Sequence, residues 1–210
     1  DKAAAPVNLY GATKLTSDKL FISANNHIGN KNIKFSVVRY GNVMGSRGSV
    51  IPLFLEQRKS GVIKITDKRM TRFNITLEDS VKFVMHCLNV MWGGEIFVPE
   101  IPSYRILDLA NAIAPDCIQE YIGIRPGEKI HEEMITETES ISCIKFNNYY
   151  VILPTTPLWD EEKFCLKSNK TPGIKNKKIF SYNSAGNQQF LKIDELKYLI
   201  KKNVFNNKNS

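Results

Sequence analysis

The pattern of apolar and polar positions predicts helices and strands that alternate through the first 155 residues. Asn8 can cap a helix over residues 9–25, and a Gly-Asn turn follows it. Residues 33–40 then predict a strand, and its Phe-Ser-Val-Val centre is typical of a largely buried parallel strand. A helix, a short turn and a buried strand make up half of a βαβ unit, so the predicted fold class is α/β.

The same reasoning predicts the later elements. Four apolar residues after the possible capping box Thr76-x-x-Asp79 recur at helical spacing and predict a face that packs in the core: Val81, Val84, Met85 and Leu88. The remaining predictions are helices at 50–59, from Ser103 to about 113, at 131–139 and at 193–201, and strands at 62–66, 95–98 and 120–122, with an apolar segment at 149–153.

Composition narrows the class of protein. Apolar residues make up 42% and charged residues 24% of the 210, which is typical of soluble globular proteins. No apolar run approaches the roughly 18 residues that a membrane span needs. The four cysteines form no C-x-x-C pair and the three histidines show no ligand spacing, so we expect free thiols in a reducing, cytoplasmic compartment, and no metal site.

The net charge of +8 is concentrated at one end of the chain. Residues 157–210 hold 11 Lys and 5 acidic residues, a net of +6, whereas residues 1–156 hold 18 basic and 16 acidic residues, a net of +2. We therefore expect a solvated basic extension at 157–210 and no nucleic-acid partner, although phosphate binding by this extension stays open.

Tyr10 and Lys14 are the first candidate for chemistry. Residues four apart lie on one face of a helix, so the two side chains would be neighbours. A tyrosine oxygen can then remove a carbinol proton, and a nearby ammonium lowers the pKa of that tyrosine. Spacing alone is weak, because the same pattern recurs at Tyr198 and Lys202, and an ordinary surface pair is the alternative.

Two turns could bind a ligand. Residues 41–49 follow the predicted strand 33–40, and ligands bind at the carboxyl ends of parallel strands. Glycines there let the backbone approach a ligand, Asn42 offers a donor and an acceptor, and Arg47 offers a cation. The second turn, at residues 123–129, would present Arg125 together with Glu128. For the first turn, a glycine-rich surface loop is the alternative.

Six motifs in this order resemble one family: Asp-Lys-Ala, Tyr-Gly-Ala-Thr-Lys, Val-Val-Arg-Tyr-Gly-Asn-Val, Gly-Ser-Arg-Gly-Ser-Val, Met-Thr-Arg-Phe and Ile-Arg-Pro-Gly-Glu-Lys. Together they are similar to the inverting UDP-N-acetylglucosamine 4,6-dehydratases, lyases that begin pseudaminic acid synthesis. These belong to the extended short-chain dehydrogenase/reductases. The resemblance covers residues 1 to about 155 and extends only weakly beyond.

The resemblance implies the C-terminal part of a Rossmann domain, a doubly wound parallel sheet, plus a smaller α/β substrate domain. It implies the end of the NADP-binding domain at 1–60, a sugar-nucleotide region at 61–156, and the extension at 157–210. NADP is the implied cofactor, with NAD not excluded, and a homo-oligomer is expected. The cofactor's glycine-rich turn would precede Asp1, so we expect the chain as given to lack an N-terminal part and to be inactive.

The resemblance also implies catalytic roles. Tyr10 and Lys14 oxidise the sugar at C4 and contact the cofactor. Lys2 matches the base that removes the C5 proton, and must be neutral to do so. Asp1 matches the acid that helps the C6 hydroxyl leave. Retaining relatives typically have Asp-Glu where this chain has Asp1-Lys2, which favours the inverting reaction.

Further residues match binding positions of the family. Five follow the strand near the nicotinamide half of the cofactor: Val43, Met44, Gly45, Ser46 and Arg47. Six match the pocket for UDP-N-acetylglucosamine: Asn42, Val50, Thr66, Arg72, Arg125 and Glu128. Arg125 is the preferred contact of the diphosphate, because a guanidinium binds phosphate oxygens in a bidentate way.

Two rival functions stay open at this point. A UDP-sugar 4-epimerase or a retaining dehydratase would use the same tyrosine and lysine, and Lys2 would then be incidental. A non-catalytic protein that binds a sugar nucleotide or nucleic acid would use the basic extension instead.

Overall fold

The computed structural model describes residues 2–167 and 171–205, which form two compact units. The first unit takes in the residues up to Tyr40, then Ser80–Glu100 and Glu133–Tyr182. The second takes in Gly41–Asp79, Ile101–Glu132 and the residues from Asn183 onward. Each unit is therefore assembled from three separate stretches of the chain.

The helices and strands alternate along the sequence, as the α/β class requires. The helices are α1 (Leu9–Ala24), α2 (Val50–Gln57), α3 (Leu77–Val90), α4 (Ile106–Ile113), α5 (Glu137–Ser140), α6 (Glu161–Lys167) and α7 (Ile193–Ile200). The strands are β1 (Val37–Val38), β2 (Asn42–Val43), β3 (Val62–Ile65), β4 (Thr71–Ile75), β5 (Ile96–Pro99), β6 (Ser103–Arg105), β7 (Ile118–Tyr121), β8 (Glu133–Ile135), β9 (Cys143–Lys145), β10 (Tyr149–Ile152), β11 (Ile174–Lys175) and β12 (Tyr182–Asn183). Short turns of other helix types follow α1, α2 and α7, at Asn25–His27, Arg58–Ser60 and Lys201–Phe205.

The first unit is built on a five-stranded sheet in the order β1-β5-β10-β9-β11. β1 and β5 are parallel, with Val37 opposite Ile96, and the other pairs are antiparallel. Phe97 and Val151 face each other across β5 and β10 and are fully buried. The sheet is therefore mixed, with one parallel pair that the antiparallel strands extend beyond β5.

The second unit contains two smaller sheets. β2 and β4 are parallel, and β6 adds to β4 in the antiparallel direction. β3 and β7 form a separate parallel pair. The core of the second unit is mainly aliphatic: Ile63, Leu109 and Leu196 are fully buried in one hydrophobic cluster that draws on β3, α4 and α7.

The expected boundaries at residues 60 and 156 do not coincide with the boundaries of these units. The structure also corrects the expectation that residues 157–210 form a solvated extension. Phe164 lies in the core of the first unit, and Leu196 and Ile200 lie in the core of the second. The basic composition of residues 157–210 concealed this, because these three buried side chains stand among exposed lysines such as Lys163 and Lys197.

The prediction of which face of α3 is buried is also wrong. Val81, Met85 and Leu88 are each more than half exposed, whereas Cys87, on another face, is buried in the core of the first unit. Helical spacing identifies a set of residues that share one face, but it does not reveal what covers that face. Within residues 2–167 and 171–205, no helix is both long and apolar enough to cross a bilayer.

Candidate functional site

Tyr10 and Lys14 lie in the first two turns of α1, in the first unit. Asn8 caps this helix, because its side-chain oxygen accepts a hydrogen bond of 2.8 Å from the Gly11 amide. The Lys14 ammonium lies 5.6 Å from the centre of the Tyr10 ring, and Tyr10 is 60% exposed. The predicted juxtaposition of the two side chains is confirmed, and both are accessible to a ligand.

The segment before the helix carries Lys2, whose side chain is exposed. Ala3 and Ala4 are buried and anchor this segment to the first unit. Asp1 lies outside the described residues, so its role as an acid stays a prediction from the sequence. Lys2 thus lies on the segment that leads directly into the helix of Tyr10 and Lys14.

A buried ion cluster, which sequence reasoning missed, fixes the position of α1. The guanidinium of Arg39 donates a 2.8 Å hydrogen bond to Asp18 of α1 and two hydrogen bonds, of 2.9 and 2.8 Å, to Glu139 of α5. Burial alone would lower the pKa of Arg39, but the hydrogen bonds and charges of Glu139 and Asp18 raise that pKa above its usual value.

The end of β2 and the turn that leads to α2 hold the predicted cofactor residues 43–47 in the second unit, whereas Tyr10 and Lys14 lie in the first. Met44 is buried, whereas Ser46 and Arg47 are exposed. Gly45 has a φ of 73°, a left-handed conformation that favours glycine. Residues 43–47 therefore form a tight turn at the carboxyl end of a parallel strand, with its polar side chains at the surface.

Asn42 Oδ1, Ser49 Oγ and Glu128 Oε2 are buried side-chain oxygens of the second unit, and none of them has a hydrogen-bond partner within the described part of the chain. Asn42 and Glu128 were predicted to contact substrate, and Ser49 was missed. Ser49 occupies the N-cap position of α2, but its side chain makes no capping hydrogen bond. Because an unsatisfied buried acceptor costs free energy, these atoms are suited to a polar ligand.

The predicted arginines differ in what they contact. Arg125 is exposed, and its carbonyl accepts a hydrogen bond from the Glu128 amide across the Pro-Gly turn. Arg72 is partly buried and donates to three backbone carbonyls, at 2.7, 2.9 and 3.0 Å, which belong to Thr71, Ile130 and Lys129. Arg125 is therefore the more accessible candidate for a phosphate contact, and Arg72 holds the neighbouring backbone. Val50 begins α2 and Thr66 directly follows β3.

His131 lies beside this backbone and was not singled out by the sequence. Its Nδ1 is 2.9 Å from the hydroxyl of Thr71, which in turn lies 2.6 Å from the hydroxyl of Ser184. Burial and the charges of Arg72 and Arg69 lower the pKa of His131 below its usual value. The pKa of His131 therefore depends on the positive charge around Arg72.

Comparisons with known proteins identify the family of the chain. A family model described as Polysaccharide biosynthesis protein matches residues 1–154. An inverting UDP-N-acetylglucosamine 4,6-dehydratase of Campylobacter jejuni (serotype O:23/36, strain 81-176) is 54% identical over 199 residues, covering 93% of this chain and 60% of that protein. A UDP-glucose 4-epimerase of Rickettsia bellii (strain OSU 85-389) is 40% identical over 159 residues, covering 72% of this chain and 46% of that protein.

The structural likeness extends further along the chain. The X-ray structure of Pen from Bacillus thuringiensis superposes with a TM-score of 0.81 at 34% identity and covers 96% of this chain and 60% of that one. The chain spans 60% of the length of the Campylobacter relative. The family match, the sequence identities and the shared fold agree, and the chain belongs to the polysaccharide biosynthesis protein family.

Proposed function

We propose that the full-length protein catalyses the NADP-dependent 4,6-dehydration of UDP-N-acetylglucosamine, with inversion at C5. The observation that carries this proposal is the Tyr10–Lys14 pair, at 5.6 Å from ammonium to ring centre, on a helix entered directly from the segment of Lys2. The 54% identity to a Campylobacter enzyme of that name supports the choice of reaction.

The residues of the first unit suit the chemical steps. Tyr10 removes the proton of the C4 hydroxyl, with the ammonium of Lys14 beside its ring. A nicotinamide bound there would supply the hydride acceptor for C4 and the hydride donor for C6. The C4 ketone acidifies the C5 proton, which the amine of Lys2 removes. Asp1 protonates the departing C6 hydroxyl, and reprotonation of C5 from the opposite face inverts that carbon.

The residues of the second unit suit the two ligands. The tight turn of Val43, Met44, Gly45, Ser46 and Arg47 follows a parallel strand, where nucleotide cofactors bind in α/β sheets. The choice of NADP over NAD rests on the family resemblance. The unsatisfied oxygens of Asn42 and Glu128 can accept from sugar or base hydroxyl and amide groups, and the exposed Arg125 can bind the diphosphate.

The test uses a polypeptide of the relatives' full length, supplied with NADP and UDP-N-acetylglucosamine in deuterated water and followed by NMR. We expect a 4-keto-6-deoxy sugar with deuterium at an inverted C5. A product that keeps its 6-hydroxyl would refute dehydration, and deuterium at a retained C5 would refute inversion. Binding without turnover would support the non-catalytic alternative.

The second Tyr-x-x-x-Lys pattern supplies a matched control. Tyr10→Phe removes the hydroxyl that accepts the C4 proton and is expected to lower kcat by about 10² to 10⁴. Tyr198→Phe makes the same change at a tyrosine that is 65% exposed on α7 and is expected to leave kcat within about twofold. Equal effects of the two substitutions would remove Tyr10 from the mechanism.

A UDP-sugar 4-epimerase is the second candidate, because the Rickettsia relative of that name is 40% identical over 72% of this chain. Lys2→Met discriminates the two functions. A dehydratase that uses Lys2 as its C5 base loses formation of the 6-deoxy product, whereas an epimerase needs no base at C5 and keeps its activity.

A further inference from the structure

Gly11 lies where the first turn of α1 closely approaches the segment that carries Lys2. A Cβ built on Gly11 would stand 2.8 Å from the carbonyl oxygen of Lys2 and 2.9 Å from the Cβ of Pro6. Real Cβ atoms do not approach other heavy atoms below 3.0 Å. Since the first of these contacts is to main chain, no side-chain rotation relieves it. Lys2 can therefore lie against the first turn of α1 only because residue 11 is a glycine.

The segment that carries Lys2 is also held from its other side. Ala5 has a φ of 44°, a left-handed conformation that costs a residue with a side chain about 1 kcal/mol or more. Pro6 follows with its φ fixed by the ring. Ala4 is almost completely buried, and the Gly11 amide is tied to Asn8. The left-handed conformation of Ala5 persists because these neighbouring residues hold the backbone of the segment in place.

We propose that Gly11 is a positioning residue that sets the placement of the Lys2 amine relative to Tyr10, and so controls C5 deprotonation separately from C4 oxidation. This inference rests on the proposed function. In the step concerned, the C5–H bond breaks and the proton goes to Lys2. The C5 electron pair then forms the C5–C6 double bond as the C6 hydroxyl leaves and is protonated to water.

The two steps depend on different parts of the chain. Tyr10 and Lys14 lie within α1 and keep their mutual position as long as the helix is intact. Lys2 lies on the segment that a side chain at Gly11 would displace. Alanine is the better helix former by about 1 kcal/mol, so Gly11→Ala favours the helix and disfavours only the close approach. Since a displacement of about 1 Å can cost two orders of magnitude in rate, the C5 step is the one affected.

The experiment compares both steps in one full-length enzyme with NADP and UDP-N-acetylglucosamine. Under single-turnover conditions, the absorbance of reduced cofactor reports C4 oxidation, and deuterium at C5 in deuterated water reports deprotonation. We expect Gly11→Ala to slow C5 deuteration by at least about tenfold and to leave cofactor reduction within about twofold. A parallel loss of both rates, or of neither, would overturn the positioning role.

A second pair of variants keeps the test decisive if Gly11→Ala folds poorly. Ala5→Gly relieves the left-handed conformation without a steric conflict, loosens the segment, and should slow C5 deuteration more than cofactor reduction. Adding Ala5→Gly to Gly11→Ala frees Lys2 to return toward its place and should recover part of the C5 rate. Equal effects of Ala5→Gly on both steps, or no recovery in the double variant, would contradict the proposal.

The matched control is Gly186→Ala. A Cβ at Gly186 would lie 3.4 Å from the side-chain oxygen of Asn183, an ordinary contact, so both rates should stay within about twofold. The wild-type enzyme separates the two proposals. If it reduces the cofactor without C5 exchange or a 6-deoxy product, the proposed function fails. If it performs both steps but Gly11→Ala slows them alike, only the role of Gly11 fails.

Discussion

Arg39 and Arg72 lie in different units, and both are largely buried, but carboxylates neutralise their guanidinium groups to different extents. Arg39 donates hydrogen bonds to two carboxylates, those of Asp18 and Glu139, and to the carbonyl of Met134 at 3.2 Å. Arg72 is bound by three backbone carbonyls, and Glu132 lies farther away, at 3.6 Å. Both arginines lie within the family motifs, Arg39 in Val-Val-Arg-Tyr and Arg72 in Met-Thr-Arg-Phe, and the motifs do not reveal what each side chain contacts.

The difference lies in the charge that remains. The Arg39 cluster has one cation and two carboxylates, a formal net charge of −1. The Arg72 cluster has two cations, Arg72 and Lys129, around Glu132, a formal net charge of +1. Carbonyls satisfy the hydrogen bonds of a guanidinium without neutralising it. The first cluster therefore fastens α1 in place, whereas the second keeps a positive field that suits a region proposed to bind a diphosphate.

The largest expected effect is that of Arg39→Met. It leaves Asp18 and Glu139 buried without their cation, so the free energy of unfolding should fall by about 3–5 kcal/mol, measured by urea denaturation. Arg39→Lys keeps the charge but not the bidentate geometry and should recover only part of this loss. A loss below about 1 kcal/mol for Arg39→Met would show that the cluster does not hold α1.

Arg72→Met is expected to cost less, about 1–3 kcal/mol, because the carbonyls it leaves are neutral. Arg69→Met is the matched control, since Arg69 is an exposed arginine paired with Asp67, and its loss should stay within about 0.5 kcal/mol. An increase in KM with unchanged stability would instead support the direct substrate contact predicted for Arg72 from the sequence.

The pH dependence of the unfolding free energy should differ between the wild type and the Arg39→Met variant. Burial raises the pKa of Glu139, but the hydrogen bonds and charge of Arg39 and the hydrogen bonds from Thr136 outweigh it and leave that pKa below its usual 4.5. The stability from this pairing is present above pH 4.5 and is lost as pH falls through the lowered folded-state pKa. In the Arg39→Met variant, Arg39 no longer offsets the burial of Glu139, so the pKa of Glu139 rises. Protonation of Glu139 then removes the buried charge and reduces the loss of stability.

The difference in unfolding free energy between wild type and Arg39→Met should therefore be greatest near neutral pH and narrow toward about pH 4. Urea denaturation across this range measures it. A difference that stays constant with pH would mean that the carboxylates do not carry the effect.

The smallest expected effect is at His131. Arg72→Met removes one of the charges that lower the pKa of His131, so that pKa should rise part of the way toward its usual 6.5, because burial still lowers it. Titration of the imidazole proton resonances by NMR measures the shift. An unchanged His131 pKa would contradict the positive field assigned to Arg72.

The sequence predicted α1 but not residues 131–139, where the expected helix is replaced by the strand β8 and the short helix α5. Helix α1 occupies Leu9–Ala24, against the predicted 9–25, because its cap and spacing are local signals. The Arg39 cluster joins residues that are 21 and 100 positions apart, and no local pattern reveals such pairs. For the same reason the exposed face of α3 and the burial of Leu196 were missed, since both depend on which distant segment packs there.

The assembly of each unit from three separate stretches has a consequence for synthesis on the ribosome. The first unit buries Phe164 and the second buries Leu196, so neither core is complete until most of the chain has emerged. Until then the apolar strands β3 and β5 remain uncovered and open to wrong pairing. Folding thus depends on contacts distant in sequence, which slows it and favours help from chaperones.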